Sequence, residues 1–436
     1  MRFILLVAIL FFTNNGLAQS WVPTPIADMP MATTNNAVCE ARANGLAFMF
    51  SFGGLDSTKV YTGIHQECFR YNVFTNTWNT IDPLPDTLGK IAAAASFVKD
   101  KIYIMGGYHV YSNGSELSSS RVHIYNPNMN MYETDGAPIP VPTDDHAQIV
   151  WRDSLIFLIG GWSNTANIEN VQIYNPSANS WQAATSLPNN NQYKFFGAQA
   201  SLLGDTIFYY GGAAMGFNFP AFPAMRMGVI DSNNPTIINW LPVEFNNGHP
   251  LYRSIGIANP NNELTFLGGS AQTYNYNGQA YAGGLGVEPS DKQVIYNPIT
   301  QQFRSDTSQS YPMDLRGLAH VSPEVKYICG GMEANQLVSD KAYKLEYMAP
   351  LHTADWLKRL DIKFFPNPAK KILNIELDNL VSPIEYRLSN IQGQLILKGK
   401  ITHVLKQINL EGLSPGKYFL ILSDIEHKAA TPIILH

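Results

Sequence analysis

Six pairs of adjacent glycines, spaced almost evenly along the 436-residue chain, constrain its fold more than any other feature. Each pair ends a short apolar run, such as KIYIMGG or SLIFLIGG. The first members of the pairs are Gly53, Gly106, Gly160, Gly211, Gly268 and Gly330. Subtraction gives intervals of 53, 54, 51, 57 and 62 residues. A period of roughly fifty residues is typical of a repeat array rather than of a chain with one undivided core.

Two further elements recur in most of the repeats. The first is a tyrosine strand followed by a turn, which reads FRYN, HIYNP, QIYNP or VIYNP. The second is an aromatic residue shortly afterwards, found at Trp78, Tyr132, Trp181, Trp240 and Phe303. Together with a small apolar first strand and the run into the glycine pair, each repeat contains four short strands. Six repeats of four strands predict an all-β, six-bladed propeller.

The sixth repeat lacks the second aromatic near Tyr347, and an unmatched copy stands at the start of the chain, at Trp21. We therefore expect the strand at Trp21 to pair with the strand around Tyr343–Tyr347. This pairing would close the ring and remove two exposed sheet edges.

The glycine pairs, the aromatic residues before them and the intervening tyrosines make residues 21–347 resemble the kelch family. The resemblance implies a kelch-type β-propeller, to which we assign residues 19–347. It also implies ring closure by the N-terminal strand.

The ends of the chain predict export. Residues 1–18 combine Arg2, an apolar core and small residues before Ala18, which is the pattern of a signal peptide cleaved near Ala18. After a linker at 348–363, residues 364–436 alternate apolar and polar side chains, as at Leu373, Ile375 and Leu377. This period of two predicts a small C-terminal β-sandwich.

Three motifs in the tail resemble the C-terminal sorting domain of type IX secretion substrates. They are FPNP at Phe365–Pro368, NIQGQ at Asn390–Gln394 and LSPGKYFL at Leu413–Leu420. The chain departs from many such domains because it ends Ile-Ile-Leu-His rather than in basic residues. The resemblance implies contact with the outer-membrane secretion machinery and a secreted or surface location. An ordinary carbohydrate-binding or spacer sandwich is the alternative.

Composition excludes several classes of partner. The formal net charge is −5, which argues against a nucleic-acid partner. Beyond the apolar core of residues 1–18 the sequence has no long apolar run, so we expect no membrane span. The three cysteines are an odd number, and we expect Cys39 and Cys68 to be buried thiols too far apart to bridge. No metal, nucleotide or nucleophile motif occurs, so we expect no metal and no cofactor. The copper site of kelch-like sugar oxidases has no recognisable counterpart.

Geometry narrows the search for a ligand site to one face. The starts of the first strands should surround the mouth of the central channel, and they carry Asn36, Lys90, Asp145, Lys194, Arg253 and Arg316. Four of these six are basic, so the ring could hold an anion such as a sugar carboxylate. Alternatively, each basic residue braces a neighbouring blade.

Two long loops should lie on the same face. One carries Phe217, Phe219 and Phe222, and the other carries Tyr274, Tyr276 and Tyr281. Their rings could stack on sugars or anchor a partner, or they could pack on one another. His146, after Asp144 and Asp145, is a candidate for proton transfer, although a lone strand histidine is more often structural.

The sequence favours a secreted or cell-surface module that binds an extracellular glycan or protein, rather than an enzyme. The predicted ligand-binding residues are Lys194, Arg253, Arg316, Asp145, His146, Phe217, Phe219, Phe222, Tyr274, Tyr276 and Tyr281. The alternative is an enzyme acting on acidic sugars, resembling the kelch-type sialic-acid mutarotases. No catalytic residue can be named from the sequence.

Overall fold

The computed structural model of the chain describes residues 20–246, 248–307, 311–348, 362–377, 380, 383–390, 394–423 and 428–436. The chain divides into two compact units, one of which is Ser20–Met348 and the other of which contains the described residues from 362 onward. The expected signal peptide and most of the expected linker lie outside the described residues.

Within the first unit, the described strands form six antiparallel sheets arranged as the blades of a propeller. The innermost strands of blades 6, 1, 2, 3, 4 and 5, taken in that order, each contact the next. From the axis outward, blade 1 consists of Ala37–Ala43, Leu46–Leu55, Ile64–Asn72 and Thr77–Ile81. Blade 2 consists of Ile91–Val98, Lys101–Val110, Val122–Asn126 and Met131–Tyr132. Blade 3 consists of Ala147–Trp151, Leu155–Ile159, Val171–Asn175 and Ser180–Ala183. Blade 4 consists of Gln199–Leu203, Thr206–Tyr210, Ala224–Ile230 and Ile238–Trp240. Blade 5 consists of Ile255–Ala258, Leu264–Leu267, Gln293–Asn297 and Gln302–Asp306. Blade 6 consists of Ala319–Ser322, Val325–Cys329, Ala342–Met348 and Ser20–Pro25.

Several short elements decorate this frame. Additional strands or hairpins lie at Glu116–Ser118, Trp162–Ser163 with Ala166–Asn167, Glu244–Phe245, Arg316–Gly317, and Met332–Glu333 with Leu337–Val338. Single 3-10 turns occur at Tyr61–Gly63 and Ala334–Gln336. No helix among the described residues has the length and apolar character needed to cross a membrane.

The N-terminal strand closes the ring, as the sequence predicted. Ser20–Pro25 pairs antiparallel with Ala342–Met348, and Trp21 lies opposite Tyr347. The Trp21 side chain is fully buried, with its ring centroid 5.3 Å from that of Tyr347, and its Nε1 donates to Asn259 Oδ1 at 2.9 Å. The strand therefore joins blade 6 to blade 5 as well as completing its own sheet.

The glycine pairs are joints between blades. Every pair has positive φ at both residues, and the N–H of its second glycine donates to a carbonyl of the next blade at 2.8–3.2 Å. The donors are Gly54, Gly107, Gly161, Gly212, Gly269 and Gly331, and the acceptors are Lys90, Thr143, Phe195, Leu251, Pro312 and Thr33. A Cβ at Gly107 would stand 2.6 Å from the Ile91 carbonyl oxygen, so no side chain fits there.

The repeated tyrosine anchors each outer turn. In blades 1 to 3 the buried Tyr71, Tyr125 and Tyr174 donate their hydroxyl to an asparagine five residues later, at 2.7–3.0 Å. The following aromatic packs against the same ring, with centroids 5.0–5.3 Å apart. In blades 1 to 3 the two aromatic positions thus hold the third and fourth strands together. Six apolar clusters fill the spaces between blades.

The C-terminal unit is a separate β domain of two sheets around one apolar cluster. Its strands are Lys363–Phe365, Ile372–Glu376 and Leu405–Asn409 in one sheet, and Leu395–Ile401, Ile384–Asn390, Gly416–Ser423 and Lys428–Leu435 in the other. Leu373, Ile375 and Leu377 are buried while Asn374 and Glu376 are not. The alternation seen in the sequence therefore marks the face that packs against the second sheet.

Candidate ligand-binding site

A ring of six residues joins the blades near the starts of the innermost strands. We call it the collar. Its members are all buried and all have positive φ, and they are Asn35, Ala92, Asp145, Gly197, Arg253 and Asp314. Backbone N–H groups donate to the carbonyl of the preceding member at 2.8–3.3 Å, with Leu315 donating in place of Asp314. The ring is completed by Ala92, whose N–H donates to Asn35 Oδ1 at 2.8 Å.

Arg253 spans the collar through two ion pairs. Its Nε and Nη2 donate to the two carboxylate oxygens of Asp145 at 3.1 and 2.6 Å, and its Nη1 donates to Asp314 at 2.9 Å. Gly197 lies between Asp145 and Arg253 in the ring, and a Cβ there would overlap the ring of Tyr252. Burial acts to lower the pKa of Arg253, but the charges of Asp145 and Asp314 raise it well above its ordinary value. Breaking such a buried pair costs about 3–5 kcal/mol.

Arg316 and His146 lie against the collar. Arg316 Nη2 donates to the His146 carbonyl at 2.9 Å, and its Nη1 is 3.5 Å from Asp145 Oδ1. Burial, reinforced by the positive charge of Arg316, lowers the pKa of His146 to about 3. The imidazole is therefore neutral near pH 7, with Nε2 3.1 Å from Gln148 Oε1.

Beside the collar lies a cavity of about 130 Å³, which we call the mouth cavity. Its lining combines aromatic rings, carboxyl groups, one amide and one guanidinium. The lining residues are Tyr108, Glu116, Asp144, Asp145, Trp162, Phe196, Phe219, Arg253, Asn275 and Tyr281. They come from blades 2, 3, 4 and 5, so only the closed ring brings them together.

Two carboxyl groups of the mouth cavity have raised pKa values. Asp144 is 4% exposed and accepts a hydrogen bond of 2.5 Å from Ser118 Oγ. Burial, and then the negative charge of Asp145, raise the pKa of Asp144 well above its ordinary value. Glu116 stands at the rim, where partial loss of water raises the pKa of its carboxyl and Arg253 opposes the shift. Both carboxyl groups of the cavity therefore hold a proton more tightly than an ordinary carboxyl group does.

Four aromatic rings form one wall of the cavity. Trp162 packs edge-on against Phe196 and Phe219, with centroids 5.5 and 5.6 Å apart, and Phe219 packs against Tyr281 at 5.0 Å. Phe196 lies 6.5 Å from Tyr281. Such mutual contacts hold the rings in place and leave apolar surface on the wall for a ligand.

The two long loops are tied to each other and to the rest of the ring. Thr273 Oγ1 donates to the Phe219 carbonyl at 2.7 Å. Tyr276 reaches from the blade 5 loop to an apolar cluster of blades 1 and 2 that includes Leu55 and Tyr108. The blade 5 loop therefore crosses the channel mouth and forms its cover.

A second cavity, of about 260 Å³, opens at the other ends of the innermost strands. It is lined by Glu40, Ala41, Arg42, Ala47, Phe97, His320, Val321, Ser322 and Pro323. Burial, with a contribution from Lys326, lowers the pKa of His320 to about 4. Although larger, this cavity has a single aromatic ring in its lining, so it offers less than the mouth cavity for stacking. Among the described residues, no cluster of three or more His, Cys, Asp or Glu side chains is arranged to hold a metal ion.

Comparison with protein families accounts for both units. The kelch motif matches residues 152–188, which cover most of blade 3, the blade whose elements recur around the ring. The secretion system C-terminal sorting domain matches residues 363–436. This chain is a kelch propeller with a type IX sorting domain. The sorting domain marks the protein for export through the type IX machinery, to the cell surface or beyond it.

Similar proteins share parts of the kelch propeller. Human Kelch-like protein 33 is 28% identical over 116 residues, 27% of this chain and 21% of its own length. Kelch-like protein 35 of Mus musculus is 23% identical over 141 residues, 32% of this chain and 21% of its own. Kelch-like protein terF of Aspergillus terreus is 27% identical over 178 residues, 39% and 36% of the two chains. The chain thus spans between about a fifth and about a third of these relatives.

Solved structures share the fold of the kelch propeller. The structure of YjhT superposes with a TM-score of 0.58 at 16% identity, covering 74% of this chain and 99% of that one. A fungal alcohol oxidase of the AA5 family, in complex with copper, gives 0.52 at 13% identity and covers 96% and 99%. At such low identity the likeness shows the fold alone.

The kelch propeller brings some predicted site residues together. Asp145, Arg253, Phe219 and Tyr281 line the mouth cavity, and the first two belong to the collar. In the other four blades the residue predicted from the sequence lies one to three positions from the collar residue of the same blade. The predicted residues are Asn36, Lys90, Lys194 and Arg316, and the corresponding collar residues are Asn35, Ala92, Gly197 and Asp314.

The remaining predicted residues lie elsewhere in the structure. Lys194 is 3.6 Å from Glu169, Phe222 packs against Phe195, and Tyr274 is fully buried. Phe217 is 92% exposed and does not line the cavity. Tyr276 packs against the apolar cluster of blades 1 and 2, and His146 and Arg316 lie against the collar. A role for these residues in ligand binding remains a prediction.

Sequence reasoning missed six residues of the mouth cavity. Tyr108 and Trp162 each follow a glycine pair directly, so this repeat position was a usable signal. Asp144 adjoins the predicted Asp145. Glu116, Phe196 and Asn275 have no repeated position that would have pointed to them.

Proposed function

We propose that this secreted kelch protein is a carbohydrate-binding module that takes one sugar residue of an extracellular glycan into the mouth cavity. The observation that carries the proposal is the combination of a four-ring aromatic wall with carboxyl and amide groups in one cavity. Aromatic faces suit the C–H faces of sugars, and carboxyl and amide groups suit sugar hydroxyls.

The size and placement of the cavity support a small ligand residue. Ligand sites are usually concave and mostly apolar, with a few polar groups that set orientation. The volume of about 130 Å³ is small for a drug-sized ligand and suits one ring at the end of a chain. Two collar residues, Asp145 and Arg253, line the cavity together with Asn275 and Tyr281 of the blade 5 loop, and the rest of the glycan would extend from the exposed rim at Glu116.

A matched pair of phenylalanines on one loop provides the test. Phe219→Ala removes a ring of the cavity wall, whereas Phe217→Ala removes an exposed ring of the same loop. After a glycan array identifies a binder, we expect Phe219→Ala to weaken it at least tenfold and Phe217→Ala to leave it within about twofold. Binding would be measured by titration calorimetry, with melting curves as a folding check. No glycan bound on the array, or equal effects of the two variants, would contradict the proposal.

A second candidate is catalysis of sugar anomer exchange, a reaction that needs one proton donor and one acceptor. Asp144 and Glu116 favour it because the two carboxyls line one cavity with raised pKa values. An acidic sugar is disfavoured because Arg253 is already paired with Asp145 and Asp314. NMR can measure the rate of exchange between the anomers of a bound sugar. A rate equal to that in the absence of the protein would rule out catalysis and leave binding as the function.

A further inference from the structure

The charges around the collar are balanced, and those of the mouth cavity are not. Arg253 and Arg316 face Asp145 and Asp314, and all four are at most 2% exposed. Asp144 and Glu116 are additional. Neither forms an ion pair with a lysine or arginine in the part of the chain that the structure describes. Among the described residues, the cavity therefore has two carboxyl groups without a basic partner and no free cation.

The lack of a basic partner is consistent with the raised pKa values of the two carboxyls. Burial raises the pKa of both, and the negative charge of Asp145 adds to the shift, while Arg253 compensates only in part. A positive group in the cavity would favour their ionised forms, and a negative group would be repelled.

The aromatic wall adds a second, independent preference for a cation. The face of an aromatic ring is electronegative, and it attracts a cation that lies within about 6 Å of its centroid. Trp162, Phe219 and Tyr281 bring three such rings into contact around one space, with Phe196 behind them. Aromatic rings and carboxyl groups that line one small cavity are surroundings that suit an ammonium group.

We propose that the sugar residue accepted by the mouth cavity carries a positively charged amino group, as an unacetylated amino sugar does. This inference rests on the proposed function and specifies its ligand class. Glu116 at the rim supplies the negative charge, and Asp144 at the inner end supplies a hydrogen-bonding carboxyl. The aromatic wall covers the C–H face of the ring.

Two tetrasaccharides that differ only in charge test the inference. A tetramer of β-1,4-linked glucosamine carries an ammonium at C2 where cellotetraose carries a hydroxyl of similar size. At about pH 6, below the ordinary amine pKa of about 8, we expect the full-length protein to bind the amino tetramer at least tenfold more tightly. Added salt should reduce the preference, because screening weakens interactions between exposed charges.

Glu116→Gln should reduce the preference to about twofold, because the amide carries no negative charge. Glu67→Gln is the matched control, since it removes the same charge from an exposed position in blade 1. It should preserve the preference. Melting curves that match the native protein show that each variant is folded.

Each remaining outcome overturns the inference in a recognisable way. Equal affinity for the two tetramers removes the requirement for charge but leaves glycan binding in place. Tighter binding of Nα-acetyl-lysine methylamide than of either tetramer replaces the sugar with a peptide side chain. A glycan array on which only neutral or acidic glycans bind rejects the amino sugar, and an array with no binder rejects the proposed function itself.

Discussion

Asp144 illustrates how a single carboxyl is controlled by its neighbours. It adjoins Asp145 in sequence, accepts from Ser118, lines the same cavity as Glu116 and feels the positive charge of Arg253. Because burial and the negative neighbours dominate, the folded protein holds the Asp144 proton more tightly than the unfolded chain does. The folded state therefore binds more protons than the unfolded state above the ordinary pKa of an aspartate.

It follows that Asp144 reduces stability as the pH rises from about 4 toward its raised pKa. Asp144→Asn keeps an acceptor for Ser118 and removes the titration. We expect the variant to gain stability relative to the native protein between about pH 4 and pH 7, on the order of 1 kcal/mol. Melting curves across this range measure the effect, with Asp100→Asn at an exposed turn as control. Parallel pH profiles for the native protein and Asp144→Asn would show that the Asp144 proton is not held more tightly on folding.

At the scale of elements, the N-terminal strand has more influence than its six residues suggest. Trp21 is fully buried between blades 5 and 6, and its backbone pairs with a strand more than three hundred residues later. Without this strand, Ala342–Met348 would be an exposed sheet edge, which is a template for association with other chains.

Trp21→Ala should lower the free energy of unfolding by about 3–5 kcal/mol, because it leaves a large cavity at the closure. The comparison is Trp78→Ala, which removes the equivalent aromatic of blade 1 from a half-buried site. We expect a smaller loss there. Denaturant unfolding measures both, and light scattering reports association. Equal losses with no association would mean that closure at Trp21 is not special.

The closure was predictable from sequence and most of the site was not. Glycine pairs, the tyrosine and the outer aromatic each satisfy a backbone or packing demand that every blade repeats, so they recur visibly. The mouth cavity uses residues that differ between blades, such as Glu116 and Asn275. The positions of the collar residues could not be predicted either. Ala92 and Arg253 have positive φ, although neither alanine nor arginine is a residue type that favours it.

At the scale of the whole molecule, the propeller and the sorting domain are distinct units with separate apolar clusters. The sorting domain matches a family that directs secretion, whereas the cavity and collar lie wholly within Ser20–Met348. Binding and export should therefore be separable by mutation.

Removal of residues 363–436 should leave a folded propeller that stays in the periplasm of its native host. Cell fractionation measures location, and the melting curve of the truncated protein measures folding. Phe219→Ala in the full chain is the control and should reach the surface normally. Arrival of the truncated chain at the surface would show that the domain is not needed for export.

The collar also has a consequence for the way in which the blades are joined. Each collar hydrogen bond runs from one blade to the preceding blade, and the glycine pairs form a second set of bonds between the same neighbours. Every blade is therefore fastened to its neighbours at two levels. A substitution at one collar residue should loosen the joint between two blades rather than the sheet to which the residue belongs.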